Sequence, residues 1–94
     1  MCGRYCLYDD GNEELRAIFD RTEGDFKTGE VFPTDKAPVL IQQSGSVKPQ
    51  VVVWGFPGFQ GKGVIINARA ETVMEKPMFR NSIQAKRCVI PSSG

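Results

Sequence analysis

Residues 38–54 have the sequence PVLIQQSGSVKPQVVVW, and this stretch contains two runs that are typical of β-strands. The runs are Pro38-Val39-Leu40-Ile41-Gln42 and Val51-Val52-Val53-Trp54, which are rich in β-branched and aromatic residues. Ser44-Gly45-Ser46 lies in the connection, where small polar residues and glycine favour a tight turn. The stretch therefore predicts an antiparallel β-hairpin.

The N-terminal segment predicts another strand. Residues 2–8 alternate as a strand does, which places Arg4 beside Cys2 on one face of the chain. The segment that leads into the hairpin, residues 25–38, is interrupted by prolines and is predicted to be irregular.

A helix is predicted between these two segments. Asn12 can cap a helix that runs to about Arg21, and Gly24 is the expected stop. The apolar residues of this segment recur at helical spacing and form one buried stripe. They are Leu15, Ile18 and Phe19.

The chain after the hairpin begins with a glycine-rich segment, residues 55–63, which is interpreted as a flexible connector. Val64-Ile65-Ile66 then enters a further strand. If that strand continues in extended form, Asn67, Arg69 and Glu71 lie on one of its faces.

The last elements are a short helix and a strand. The helix is predicted near residues 77–84 with Pro77 in its first turn, and residues 86–91 predict the final strand. The predicted fold class is α+β: mostly antiparallel β structure with one or two short helices.

Length and charge leave the function open. The sequence has 94 residues, so it holds one domain at most, and a chain of this size buries about 60–65% of its unfolded surface. Lysines and arginines number 12 and aspartates and glutamates 11, which leaves a formal net charge of +1. Net charge therefore neither indicates nor excludes nucleic acid, and a DNA-binding site must be argued from individual arginines.

The cysteines and the hydropathy pattern argue against a metal site and a membrane span. Cys2, Cys6 and Cys88 form no C-x-x-C pair and the sequence has no histidine, so we expect no zinc site. Cys6 and Cys88 are interpreted as small core residues. No apolar run approaches the ~18 residues of a membrane-spanning helix. We expect a reduced, cytoplasmic protein that needs no metal or organic cofactor.

Cys2 directly follows the initiator methionine. If Met1 is removed, Cys2 carries a free α-amine and a thiol on neighbouring carbons. The amine titrates near ~8 and the thiol near ~8.5, so both are partly reactive at neutral pH. Such an aminothiol condenses with an aldehyde and closes a stable thiazolidine ring. The alternative is that Cys2 is an arbitrary second residue.

Several short motifs lie in a fixed order along the chain. They are Met1-Cys2-Gly3-Arg4-Tyr5, Trp54-Gly55, Asn67-Ala68-Arg69-Ala70-Glu71-Thr72, Lys76-Pro77 with Phe79-Arg80, and Arg87-Cys88-Val89-Ile90-Pro91. Their order and spacing closely resemble the SOS response-associated peptidase (SRAP) family. The resemblance runs along essentially the whole chain, and several blocks in order are far more specific than a single one.

The resemblance implies a self-processing protein that binds single-stranded DNA and cross-links covalently to abasic sites. Cys2 would be the nucleophile, and Asn67 would orient its amine or the opened sugar. Arg4 and Arg69 would grip the flanking phosphates, for which the two parallel N–H groups of arginine are suited. The family's catalytic glutamate and histidine would lie beyond the last residue. Residues 1–94 are therefore interpreted as the N-terminal portion of a single, larger and β-rich SRAP-like domain.

Each of these residues also has a structural interpretation. Arg4 can form a surface ion pair with an acidic neighbour, and Glu71 can pair with Arg69 and neutralise it. Asn67 is of a type that is common in turns. Trp54 ends a strand and is interpreted as core rather than as a stacking surface for a base.

Two rival functions stay open. A thiol peptidase would use Cys2 to attack an amide, but it needs a base and an oxyanion hole, and the sequence has no histidine to serve as the base. A folded but inactive fragment would do no chemistry. Because such a fragment would lack later strands, we also expect self-association through an unpaired sheet edge.

Overall fold

The computed structural model describes residues 3–94 and shows short antiparallel strands with two α-helices. In chain order the elements are β1 (Tyr5–Leu7), α1 (Glu13–Arg21), β2 (Gly29–Val31), β3 (Lys36–Gln43), β4 (Ser46–Val53), β5 (Phe56–Pro57), a short 3-10 helix (Phe59–Gly61), β6 (Val64–Ile65) and α2 (Pro77–Ala85). The described strands form the antiparallel pairs β1–β2, β3–β4 and β5–β6. The predicted α+β class is confirmed. Neither helix within residues 3–94 is long and apolar enough to cross a membrane.

The β3–β4 hairpin is the longest strand pair. All of β3 pairs with all of β4, and the pairing ends where Gln43 faces Ser46. Ser44 and Gly45 form the turn, with φ angles of 53° and 82°. Two successive positive φ angles are typical of a type I′ turn, whose twist matches that of the flanking strands. The predicted hairpin is therefore confirmed, and it is longer than predicted.

Helix α1 begins with the predicted cap. The Asn12 side-chain oxygen accepts a hydrogen bond from the Leu15 N–H at 3.0 Å. The helix ends at Arg21, as predicted, and Thr22 rather than Gly24 is the residue that leaves the helical conformation, with φ −82° and ψ 122°. The sequence alone can identify such a cap, because the capping side chain lies next to the helix that it caps.

The N-terminal strand pair differs from the prediction. β1 begins at Tyr5 and ends at Leu7, so it is shorter than residues 2–8, and Arg4 precedes it. β2 and the start of β3 lie within residues 25–38, so the prediction that this segment is irregular is wrong. A strand of three residues, as β2 is, offers almost no alternation to recognise, and it is held by pairing with a distant part of the chain.

The core lies where β1, α1, β2 and β3 meet. Its buried side chains are Leu7, Leu15, Val31 and Ala37. The partly buried residues packed against them are Tyr5, Phe19 and Trp54. The interpretation of Trp54 as a packing residue is therefore confirmed.

The segment after β6 does not continue as a strand. β6 ends at Ile65, and the chain passes through Asn67 without regular structure into a series of turns. In the first turn the Thr72 N–H donates a hydrogen bond to the Arg69 carbonyl at 3.2 Å. The predicted extended strand, which would place Asn67, Arg69 and Glu71 on one face, is therefore wrong, because turn hydrogen bonds organise this segment instead.

The C-terminal elements match the prediction in part. Helix α2 confirms the helix predicted near residues 77–84, with Pro77 at its first turn. The strand predicted over residues 86–91 is reduced to a single bridge. There the Leu40 N–H donates to the Val89 carbonyl at 2.8 Å, and the Val89 N–H donates to the Leu40 carbonyl at 3.0 Å.

The glycine-rich segment, residues 55–63, holds more structure than a connector. It contains β5, which pairs with β6, and the short 3-10 helix. Gly58 allows a close approach of the backbone, because a Cβ at this position would overlap the Lys62 carbonyl. The prediction of a plain connector is therefore corrected, and the β5–β6 pair leads the chain directly to Asn67.

Candidate functional site

A largely apolar cavity of about 550 Å³ lies between β1, the β3–β4 hairpin and the chain after β6. Two predicted site residues, Arg4 and Asn67, line this cavity together. Most of the remaining wall is apolar and includes Tyr5, Val39, Val52, Val53, Trp54, Ile66 and Ile90. Arg4 and Asn67 are themselves exposed, so the polar part of the cavity is open to solvent.

Arg4 is held beside the cavity by an acidic neighbour. Its guanidinium nitrogen Nη1 lies 3.5 Å from Oε1 of Glu30, and the two side chains are 62% and 47% exposed. This is the surface ion pair given above as the structural alternative for Arg4. Exposed pairs of this kind contribute about 0–1 kcal/mol, so Arg4 can exchange Glu30 for a phosphate at little cost. Its role in phosphate binding stays a prediction.

Asn67 borders two concave surfaces. Besides the cavity that it shares with Arg4, it lines a second depression of about 460 Å³ together with Arg69. No described residue forms a hydrogen bond with the Asn67 side-chain amide, and among the described residues Arg69 forms no ion pair with Glu71. Asn67 therefore shares one concavity with Arg4 and another with Arg69.

The aromatic wall of the cavity is fixed by packing. The rings of Tyr5 and Trp54 lie 5.7 Å apart between centroids at an interplanar angle of 51°. Burial raises the pKa of the Tyr5 phenol above its usual value of 10.0, so its hydroxyl stays protonated at neutral pH. The Trp54 backbone is also fixed, because its N–H donates to the Asp35 carbonyl at 3.1 Å and its carbonyl accepts from Thr34 at 3.0 Å.

The cysteines are distributed differently from the prediction. Cys2, the predicted nucleophile, lies outside the described residues. Cys88 is exposed and lines the 550 Å³ cavity, so its interpretation as a core residue is wrong, while Cys6 is half-buried. Neither thiol forms a disulfide. Within residues 3–94, no cluster of three or more histidine, cysteine, aspartate or glutamate side chains is arranged to hold a metal ion.

A turn next to Arg4 had no role predicted from the sequence. The Asp35 N–H donates to the Phe32 carbonyl at 3.0 Å and closes a turn with Pro33 and Thr34 at its centre. Proline followed by a residue with positive φ, here Thr34 at 76°, is typical of a type II turn. The Arg4 guanidinium carbon lies 5.9 Å from the centre of the Phe32 ring. Pro33 is the only local sequence signal for this turn, and it does not indicate that the turn lies next to Arg4.

Comparison with known proteins gives a consistent set of similarities. The profile of the family described as SOS response associated peptidase (SRAP) matches residues 1–94. The chain is 33% identical over 101 residues to abasic site processing protein YoqW of Bacillus subtilis (strain 168), a match that covers 98% of this chain and 45% of the relative. The protein of the same name from Bacillus phage SPbeta matches equally well, at 33% identity over 101 residues.

A further relative shows the same partial coverage. Abasic site processing protein YoaM of Bacillus subtilis (strain 168) is 33% identical over 105 residues, which covers 98% of this chain and 44% of the relative. The chain thus spans less than half the length of these relatives. No solved structure matches the chain.

Proposed function

Because the chain belongs to the SOS response-associated peptidase (SRAP) family, we propose that it processes abasic sites in DNA. The relatives named abasic site processing proteins support the proposal. The observation that carries it is the cavity that Arg4 and Asn67 line together. It brings a cation suited to a phosphate and an amide that can both donate and accept hydrogen bonds to one place.

The proposed chemistry uses Cys2 after removal of Met1. The ring-opened abasic sugar presents an aldehyde, and the Cys2 amine condenses with it to form an imine and release water. The thiol then adds across the imine: sulfur bonds to carbon, and the thiol proton goes to nitrogen. The product is a thiazolidine in which both new bonds come from one residue. If only the amine acts, the imine instead permits β-elimination, which would give a lyase side reaction.

The proposed substrate is single-stranded DNA. Arg4 and Arg69 line two different concavities that share Asn67, and in this proposal each arginine binds one of the phosphates that flank the abasic nucleotide. A single strand can splay its sugar away from its neighbours at less cost than a duplex, in which pairing and stacking must first be broken. Asn67 would then orient the sugar oxygens or the Cys2 amine.

A thiol peptidase is the second candidate, favoured by the description of the family. In that mechanism the Cys2 thiolate attacks an amide carbonyl, and a base and oxyanion donors must assist. No histidine occurs in residues 1–94, so these residues do not contain the usual base of a thiol peptidase. Turnover of a peptide substrate, without any product that carries DNA, distinguishes this candidate from the first.

We also propose how residues 1–94 are organised. Within the described residues β4 pairs only with β3, so its outer edge has no strand partner, and self-association through this edge is the expected consequence. Pro49 lies in β4 and cannot donate a hydrogen bond along that edge, which keeps such association weak. Residues 1–94 would form part of a single domain, and the free thiols of Cys6 and Cys88 suit a cytoplasmic protein.

The test is a denaturing gel with a fluorescent single-stranded oligonucleotide that carries one abasic site. The wild-type protein should shift this oligonucleotide and should leave the same sequence without an abasic site unshifted. Cys2→Ala should give no shift unless borohydride is added, because its amine forms only a reversible imine. Lys48→Gln, at an exposed position of β4, is the matched surface control and should behave as the wild type. A stable shift with Cys2→Ala in the absence of borohydride would show that the thiazolidine mechanism is wrong.

A further inference from the structure

Phe32 is an exposed aromatic residue that lies beside two cations. Its side chain is 37% exposed. The Lys27 ammonium nitrogen lies 5.0 Å from the ring centre, and the Arg4 guanidinium carbon lies 5.9 Å from it. An aromatic face with lysine and arginine next to it is the combination that binds single-stranded nucleic acid, because bases stack on the ring while the cations meet phosphates.

Hydrogen bonds fix the backbone of the turn that carries the Phe32 ring. The Asp35 carboxylate accepts a hydrogen bond from the Phe32 N–H at 2.8 Å. Two backbone hydrogen bonds, of 3.0 and 3.1 Å, tie Thr34 and Asp35 to Trp54. Thr34 has a φ of 76°, which a β-branched residue adopts only when its surroundings impose it. These contacts fix the backbone of the turn at Phe32 and join the turn to Trp54, a residue of the cavity wall.

The ion pairs that Arg4 and Lys27 form with carboxylates are exposed to solvent and weak, so both cations can bind DNA phosphates instead. Arg4 pairs with Glu30 at 3.5 Å and Lys27 pairs with Asp35 at 3.0 Å, and the two cationic side chains are 62% and 44% exposed. An exposed cation–π contact shifts an equilibrium by about twofold to fivefold. Stacking of a base on an aromatic ring contributes about fivefold to 150-fold. A base can therefore displace a cation from the Phe32 ring, and the displaced cation can turn to the adjacent phosphate.

We propose that Phe32, Lys27 and Arg4 form a binding platform for one nucleotide of single-stranded DNA next to the 550 Å³ cavity. The base stacks on Phe32, Lys27 binds its phosphate, and Arg4 binds the phosphate shared with the nucleotide in the cavity. The platform is indifferent to sequence, because every base offers an aromatic face. The proposal rests on the proposed function, since Arg4 belongs to both sites.

The first experiment measures binding of a labelled oligothymidylate without an abasic site, by fluorescence anisotropy at several salt concentrations. Phe32→Leu keeps the apolar bulk and removes the aromatic face, so affinity should fall about fivefold to 150-fold. Phe32→Trp keeps an aromatic face and should retain the affinity. A merely structural role for Phe32 predicts similar affinities for the two variants, because at a side chain that is 37% exposed either replacement keeps the apolar bulk.

The second experiment tests the cations. Lys27→Gln should lower the slope of log affinity against log salt by about 0.7–1, while the charge-matched control Lys48→Gln should leave the slope unchanged. Glu30→Gln frees Arg4 from its carboxylate and should tighten binding, a gain that no purely structural role predicts.

The outcomes separate this proposal from the proposed function. If the wild type cross-links abasic DNA and binds oligothymidylate while Phe32→Leu binds equally well, the platform is wrong and the proposed function stands. If the wild type binds no single-stranded DNA, both fall. Thermal unfolding of each variant shows whether it is folded at the assay temperature, and Phe32→Trp provides the comparison if Phe32→Leu is not.

Discussion

Replacing Leu7 by alanine tests whether the core positions the candidate site. Leu7 lies on β1, directly after Tyr5 and Cys6, and its exposure is 0%. Truncation of a buried leucine to alanine costs about 2–5 kcal/mol, the upper values where the cavity cannot collapse. At ~0.05–0.15 kcal/mol per residue, a 94-residue chain has a free energy of unfolding of about 5–14 kcal/mol. The substitution is therefore expected to remove between about a seventh and all of the free energy of unfolding.

Urea unfolding followed by the fluorescence of Trp54 measures this loss. Trp54 is the only tryptophan and packs against the buried cluster, so its emission reports on the core. Leu7→Met conserves the volume and should cost less than about 1.5 kcal/mol. Val47→Ala, at a position that is 54% exposed, should change the stability by less than about 0.5 kcal/mol. A loss below about 1 kcal/mol for Leu7→Ala, with an unchanged urea dependence, would refute the assignment of β1 to the core.

Three further predictions concern the DNA contacts, the helix cap and the turn beside Arg4. Arg4→Ala and Arg69→Ala should each lower the salt slope of single-stranded DNA binding by about 0.7–1, and unchanged slopes in both variants would assign these arginines to structure. Asn12→Ala removes the cap of α1 and should lower the free energy of unfolding by about 0.5–2 kcal/mol, measured by thermal unfolding. Hydrogen bonds from a backbone N–H and a lysine hold the pKa of Asp35 below its usual 3.8. Because the pKa of Asp35 is lower in the folded than in the unfolded state, this stabilisation is present above pH 3.8 and is lost as the pH falls through the folded-state pKa. Asp35→Asn should lack this acid-dependent loss of stability in unfolding curves measured over a series of pH values.

The parts of the fold that the sequence predicted are those with local signals. Asn12 caps α1 through its own side chain, and Ser44-Gly45 forms a turn whose φ angles suit glycine and a small polar residue. β2 was missed because three residues carry no periodicity and the strand exists only through pairing with β1. The prediction that β6 continues through Asn67 was wrong because the strand ends at Ile65 and hydrogen bonds of turns, such as that from the Thr72 N–H to the Arg69 carbonyl, organise the chain after it.

The residues of the candidate site were predictable from motifs in a fixed order, but their arrangement in space was not. Arg4 and Asn67 were identified by resemblance to a family, and only the fold shows that they line one cavity. The turn that carries Phe32 had a single sequence signal, Pro33. Its neighbours Lys27 and Arg4 come from different parts of the chain, so their meeting around one ring depends on tertiary packing that no local pattern encodes.

Measurement of the intact mass shows whether the N-terminal cysteine traps an abasic site. The protein is incubated with single-stranded DNA that carries one abasic site and is then weighed without reduction. The expected result is a chain that lacks Met1 and a product whose mass is the sum of this chain and the oligonucleotide minus one water. A product on a chain that retains Met1 would show that the thiazolidine mechanism is wrong, because an acylated amine cannot close the ring. The absence of any product would show that Cys2 does not trap abasic sites.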